Sequence, residues 1–168
     1  MEGKRVKESS VIISHVMLPQ DANPAGNVHG GVVIKNIDSA AGVVAIRHAR
    51  CNTVTASIDR LDFHSPVFIG NLLTLKASVN IVGRSSMEIG VRVEAEDLVT
   101  GQIRHTASAY LTFVALDENG RPKEVPSLIL ETEDEKRRNR ESQARKKSRL
   151  AEKKREKECQ REIDSCEL

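Results

Sequence analysis

Four stretches in the middle of the chain alternate apolar and polar residues with a period of two. Val54, Ala56 and Ile58 alternate with Thr55, Ser57 and Asp59. Leu73, Leu75, Ala77, Val79 and Ile81 alternate with Thr74, Lys76, Ser78 and Asn80. Met87, Ile89, Val91, Val93 and Ala95 then alternate with Glu88, Arg92, Glu94 and Glu96. Last come Ala107, Ala109, Leu111, Phe113 and Ala115 with Ser108, Tyr110 and Thr112 between them. Turn residues separate the runs: Ser65-Pro66, Gly70-Asn71, Gly83-Arg84-Ser85-Ser86, Thr100-Gly101 and Asp117-Glu118-Asn119-Gly120. Period two between such breaks predicts antiparallel strands with one buried and one polar face. A further strand rich in Val and Ile is predicted over 9–17, and a Pro/Asn/Gly loop follows it. Between this loop and the other strands lies a run, about 30–49, that is apolar on nearly every side and predicts a buried helix. A single helix flanked by strands is covered only if the sheet curls round it, so the expected class is α+β.

Asp38 breaks the apolar character of that helix. A carboxylate buried without a partner costs several kcal/mol or neutralises itself. Asp38 therefore has a specific donor or faces a cavity where its charge does chemistry. It sits mid-helix, which weakens a capping role. At the helix start, Asn27, His29, Gly30 and Gly31 lead into a first turn whose backbone N–H groups lack intrahelical acceptors and attract negative charge. A Gly-Gly pair alone is equally compatible with a plain tight entry. Asn27 and Asp38 are 11 positions apart, roughly 16 Å along a helical path. Two short side chains do not meet across that gap. If both serve one site they come from different copies, which predicts a symmetric dimer.

Composition narrows the classes. The 168 residues carry 39% hydrophobic content and a net charge of +2, enough for one core and no demand for nucleic acid. Aromatics make up 2% with no Trp, which argues against base-stacking surfaces. Cys51, Cys159 and Cys166 form no metal or redox spacing, the five histidines show none either, and reduced thiols are expected. The charged start has no apolar run behind it, and the helix at 30–49 is interrupted by Lys35, Asn36 and Asp38. A cytoplasmic protein with no membrane partner, metal or cofactor is the expectation. About half of the chain's charges fall in 131–168. Thr132 and Glu135 have capping-box spacing, and Glu133/Arg137, Asp134/Arg138 and Glu141/Arg145 are helix-favouring pairs. A solvated, fraying helix is expected there; a basic phosphate contact through Arg145, Lys146, Lys147 and Arg149 is the sharper alternative. The chain thus divides into an arm (1–8), a globular domain (9–130) and a charged helical tail (131–168).

The run Asn23-Pro24-Ala25-Gly26-Asn27-Val28-His29-Gly30-Gly31, then Asp38, then 53–63, resembles the hotdog-fold acyl-CoA thioesterases, in particular the cytosolic acyl-CoA hydrolases and their bacterial relatives. Segments 83–89 and 131–136 are similar too, so the likeness spans about 9–138. It implies a curled five-stranded antiparallel sheet around a long central helix, plus the charged C-terminal helix. It implies hydrolysis of fatty acyl-CoA to fatty acid and CoA, with CoA present only as part of the substrate and as product. In two-domain members one half supplies a catalytic asparagine and the other an aspartate; this chain carries candidates for both, Asn27 and Asp38. A homodimer is implied, commonly assembled as a trimer of dimers.

On that basis Asp38 acts as general base or nucleophile, Asn27 of the other subunit orients water or thioester, and the backbone at His29, Gly30 and Gly31 holds the oxyanion. The small residues Ala40, Ala41 and Gly42 leave room near the reacting carbon. Arg84, Ser85 and Ser86, then Arg60, then Lys136, Arg137 and Arg138 are candidates for the CoA phosphates. A hydratase of the same fold needs a His where this chain has Val43. Two further functions are compatible with the pattern: a non-catalytic acyl-CoA sensor that signals through the tail, and a scaffold that acts through the tail alone.

Overall fold

A computed structural model describes residues 2–166, the side chains of Arg60, Lys153 and 161–166 lying outside the description. The elements run β1 (Lys4–Arg5), a 3-10 turn, β2 (Val11–Val16), a second 3-10 turn, α1 (Gly30–Ala49), β3 (Asn52–Phe63), β4 (Leu72–Val82), β5 (Ser86–Glu96), β6 (Ile103–Leu116), β7 (Leu128–Ile129) and α2 (Glu133–Cys166). Five strands form one antiparallel sheet in the order β2-β4-β5-β6-β3, and β1 pairs with β7 in parallel. The expected order of strand, helix and four strands is what the fold contains.

Helix α1 lies on the inner face of the sheet. Val33, Ile37, Ala40, Ala41, Val44 and Ala45 recur at helical spacing and are buried against Leu73, Leu75, Ile89, Val91, Leu111 and Phe113. Truncating one of them, Ile37→Ala, costs about 2–5 kcal/mol by the usual core rule. The helix is not buried all round. Val43 and Ile46 are exposed, as are Val54, Ile58 and Phe63 on β3. The expectation of a helix covered on every side holds for one face only in the single chain. Ala40 and Ala41 are fully buried; they bring the helix close to the sheet rather than opening space beside it.

The arm is stitched to the body. Val6 is buried, and Lys4 Nζ donates to the His48 and Arg47 carbonyls at 2.7 and 3.2 Å, which satisfies two of the last acceptors of α1. His48 sits wholly buried, with Nε2 2.9 Å from the Pro126 carbonyl and Nδ1 3.5 Å from Ser9 Oγ.

The tail departs from the solvated helix expected. Its capping box forms: Glu135 N donates to Thr132 Oγ1 at 3.2 Å and Thr132 N to Glu135 Oε2 at 3.1 Å. From there α2 crosses the outer face of the sheet on polar contacts. Asn139 Nδ2 donates to the Asn80 carbonyl at 2.8 Å, and Arg138 to Ser78 Oγ at 3.3 Å. Arg145 pairs with the buried Glu88 at 2.7 Å and covers the Tyr110 ring at 3.7 Å; Arg149 pairs with Asp59. Arg145 therefore leaves Glu141 unmatched as its expected partner, and Glu141 pairs with Arg137 instead. The sequence hid this docking because α2 buries Ser142 and guanidinium stems, not an apolar stripe.

Candidate active site

The site is built on the junction of α1 with β3, the last strand of the sheet. Thr55 Oγ1 donates to Asp38 Oδ1 at 2.7 Å. Asp38 is half-buried and Thr55 exposed. The donor demanded by the sequence argument is thus a neutral hydroxyl, and the carboxylate still reaches solvent. A bulge makes this contact. The register of β3 against β6 shifts between Thr55 and Ser57 and again between Ile58 and Arg60. Each shift inserts one residue and flips the alternation. Thr55 therefore faces inward to α1, while Asp59 faces outward to α2. Strict alternation, as read from the sequence, places Thr55 and Asp59 on one face.

At the other end of β3 a cavity of about 330 Å³ is lined by Asn23, Asn27, Gly30, Phe63, His64 and Val67 among others. Asn27 bridges Phe68 through its backbone. Asn23 Oδ1 accepts from Ala25 N at 2.9 Å and Asn27 N at 3.2 Å, which fixes the amide plane. His29 caps α1: its Nδ1 accepts from Gly31 N at 2.9 Å. The Gly31 N–H is thereby occupied, whereas no acceptor for the Gly30 N–H is found among the described residues. Sequence reasoning singled out Asn27 and passed over Asn23, Thr55, Phe63 and His64. The Asx-type turn of Asn23-Pro24-Ala25-Gly26, closed by Gly26 N to the Asn23 carbonyl at 3.0 Å, was the available signal for Asn23.

Asp38 and the asparagine cavity do not meet within one chain. Thr55 and Phe63 pair with Phe113 and Ala107, six positions apart on β6 because of the two bulges, about 20 Å of strand.

The candidates for phosphate contact scatter. Arg84, Ser85 and Ser86 form the predicted turn, with Gly83 N donating to the Ser86 carbonyl at 2.7 Å, and Ser86 opens β5. Arg84 is exposed and pairs with Glu124 at 3.0 Å. Lys136 pairs with Glu133 at 2.7 Å, and Arg137 with Asp134 and Glu141, whose carboxylates hold its guanidinium further above its usual value. The Arg60 side chain lies outside the described residues. No group of three His, Cys, Asp or Glu placed to hold a metal is found among the described residues.

A curled antiparallel sheet wrapped on one long helix, with a half-buried carboxylate on that helix, defines the hotdog class. The thioesterase superfamily profile matches residues 25–102. The cytosolic acyl coenzyme A thioester hydrolase of Mus musculus is 41% identical over 86% of this chain, which spans 38% of that protein's length. A Bacillus subtilis protein named an uncharacterized acyl-CoA thioester hydrolase is 42% identical over 80% of this chain and 78% of its own. A solved apo-hexameric acyl-CoA thioesterase superposes with a TM-score of 0.88 at 41% identity, covering 90% of this chain and 97% of that one. An acyl-CoA hydrolase from Staphylococcus aureus in complex with butyryl coenzyme A, coenzyme A and coenzyme A disulfide superposes with a TM-score of 0.86 at 36% identity, covering 92% and 94%. Variants of that enzyme with one aspartate, one asparagine or one threonine replaced by alanine superpose as well. The chain belongs to the acyl-CoA thioester hydrolase family of the thioesterase superfamily.

Proposed function

We propose that the chain hydrolyses fatty acyl-CoA thioesters to free acid and CoA, in a site shared between two copies. The observation that carries this is the Asp38–Thr55 pair at 2.7 Å on a strand edge with no neighbour among the described residues. Thr55 fixes one carboxylate oxygen, and the other takes a proton from the attacking water. The substituted asparagine of the S. aureus hydrolase precedes its aspartate by 15 positions (28 and 43 of that enzyme), and the aspartate precedes the threonine by 17 (43 and 60). Asn23, Asp38 and Thr55 repeat both spacings. Asn23 therefore takes the role first expected of Asn27. Its carbonyl is held by two backbone donors, which leaves Nδ2 to orient the thioester or the water. The Gly30 N–H, at the positive end of α1, supports the carbonyl oxygen as it gains charge. Water and a carboxylate suffice for this chemistry, and CoA enters as substrate and leaves as product.

A second copy completes the site. The 12-residue edge of β3 carries exposed Val54, Ile58 and Phe63, a template for strand pairing. If two copies pair β3 antiparallel over its full length, the twofold axis falls between Ser57 and Ile58. Thr55 then lies opposite residue 60 of the partner, about 10 Å of strand from Phe63 of the partner subunit, against about 20 Å within the chain. Hexameric neighbours support further assembly of such dimers. Among the described residues no helix is long and apolar enough to cross a membrane, and the mammalian relative is named cytosolic; a cytoplasmic setting follows by analogy. The test is CoA release from a panel of acyl-CoAs. Turnover by the wild type and its loss in Asp38→Asn support hydrolysis. Acyl-CoA binding with no CoA release supports the sensor instead.

A further inference from the structure

Helix α2 reaches the back of the strand that carries Thr55. Asn139 and Arg145 fix the helix over β4 and β5, through the Asn80 carbonyl at 2.8 Å and Glu88 at 2.7 Å. Arg149, one turn beyond Arg145, lies over β3 and pairs with Asp59. Asp59 Oδ1 also accepts from Ser57 Oγ at 2.9 Å. The ion pair is largely covered, with the Arg149 side chain 17% and the Asp59 side chain 13% exposed.

These contacts fall on the irregular part of β3. Ala56 and Asp59 are the two extra residues that the register against β6 leaves unpaired. Between the two bulges the alternation is inverted, so Ser57 pairs with Thr112 on the outer face. A straight strand continued from Asn52 would set Ser57 against Leu111 and Asp59 against Ala109, both on the buried face. Asp59 would then add an unpaired carboxylate to the side of the sheet that faces α1, at a cost of several kcal/mol. A straight strand continued from Phe63 would slide Thr55 from Phe113 to Ala115, two residues or about 7 Å along the strand and away from Asp38. The position of Thr55 thus depends on the bulges. Close packing does not hold them in place, because the outer face here opens into a cavity of about 790 Å³ lined by Ser57, Asp59, Tyr110, Ser148 and Arg149 among others.

We infer that Arg149 is a positioning residue of the active site. It holds Asp59, and through it Ser57, on the outer face; this keeps both bulges in β3, and the bulges keep Thr55 at 2.7 Å from Asp38. The inference deepens the hydrolysis proposed above and rests on Asp38 acting as its base. The charged helix then acts on the reaction from the opposite face of the sheet. Its two docked arginines divide the work: Arg145 closes on the buried Glu88, and Arg149 sets the strand behind the catalytic carboxylate.

The test is steady-state CoA release by the full chain, with Arg149→Ala made alone and in a Thr55→Ala background. Alone it is expected to lower kcat about tenfold with KM nearly unchanged, since small misplacements at a reacting centre cost up to about a hundredfold. In the Thr55→Ala background the contact that Arg149 positions is already gone, and no further loss is expected. Asp59→Ala removes the other half of the pair and the penalty for straightening the strand, and is expected to repeat both results; it reads the same contact should Arg149→Ala unfold. Arg149→Lys keeps a cation for Asp59 and is expected to recover part of kcat. A wild type that turns over, with kcat unchanged in Arg149→Ala and Asp59→Ala, overturns the positioning role and leaves the hydrolysis standing. A further tenfold loss in the Thr55→Ala background does the same, because Arg149 would then act by another route. A wild type that never releases CoA overturns the hydrolysis itself, and the positioning role with it.

Discussion

Helix α1 meets the inner face of the sheet with alanine, valine and isoleucine, whereas α2 meets the outer face with arginine, asparagine and serine. Each helix also engages a carboxylate. Asp38 on α1 is half-buried and held by one neutral hydroxyl. Glu88 under α2 is buried, with its side chain 1% exposed, and is bound by Arg145 and Asn80. A carboxylate satisfied by a guanidinium, an amide and a closed surface is committed to structure. A carboxylate given one hydroxyl and left open to solvent at a strand edge keeps an oxygen for chemistry. The difference separates the two roles more sharply than either environment does alone, because each also shows what the other lacks.

Substitutions at the two carboxylates break the comparison in opposite ways. Asp38→Asn is expected to lower kcat for CoA release by about 10²–10⁴, the range for loss of a general base, with little change in melting temperature. Glu88→Ala leaves Arg145 without its partner and is expected to cost about 3–5 kcal/mol of stability in denaturant titration, with turnover per folded chain unchanged. An Arg145→Ala partner variant closes a double-mutant cycle and isolates the pair. Gly90 belongs to the same unit, since a Cβ there would lie 2.7 Å from Asn80 Nδ2. Thr55→Ala removes one hydrogen bond to a charged group, about 1.5–3 kcal/mol. It is expected to reduce kcat by roughly ten- to hundredfold, short of the Asp38 effect, in the same CoA-release assay.

A gentler effect comes from His48, at the base of α1. Burial is the main cause holding its pKa below the usual 6.5, partly offset by the bond to the Pro126 carbonyl. The folded chain keeps the ring neutral, so protonation favours unfolding. The contribution is full above about pH 6.5 and is lost as pH falls below that toward the folded value. Melting temperature is expected to drop over this window, and His48→Gln to flatten the profile. Smallest of all, Arg137→Ala on the exposed face of α2 is expected to leave the melting temperature nearly unchanged, since exposed ion pairs contribute little.

The core and the order of elements were legible because the inner face of β4, β5 and β6 alternates over most of its length, with the bulges at Asn80 and Thr106 falling near strand ends. Helix α1 was legible because its apolar run lies between a Pro/Gly loop and a strand. The Asp38–Thr55 contact was not, because it depends on a bulge in β3, and a bulge leaves no mark on an alternation of Thr, Ser and Asp. Asn27 stands out in the sequence because it leads with His29 into the Gly-Gly turn, whereas Asn23 is distinguished only by its Asx turn and by its spacing to Asp38. The docking of α2 escaped because a helix without an apolar stripe reads as solvated. What it buries are Ser142, the stems of arginines and a Glu on the polar face of β5. The expectation of a site shared between copies came from the 11 positions between Asn27 and Asp38, and Asn23 is four positions further from Asp38 along the sequence.

The central claim is a site assembled from two chains, and mixing tests it most directly. Asp38→Ala and Asn23→Ala are each expected to abolish CoA release. Unfolded and refolded together in equal amounts, half of the dimers are mixed, and each holds one intact site and one doubly altered site. Recovery to about a quarter of wild-type turnover is the expected result, with Asp38→Ala mixed with itself remaining inactive. A refolded mixture that contains heterodimers yet stays inactive would contradict the account, because both residues would then be required in the same chain.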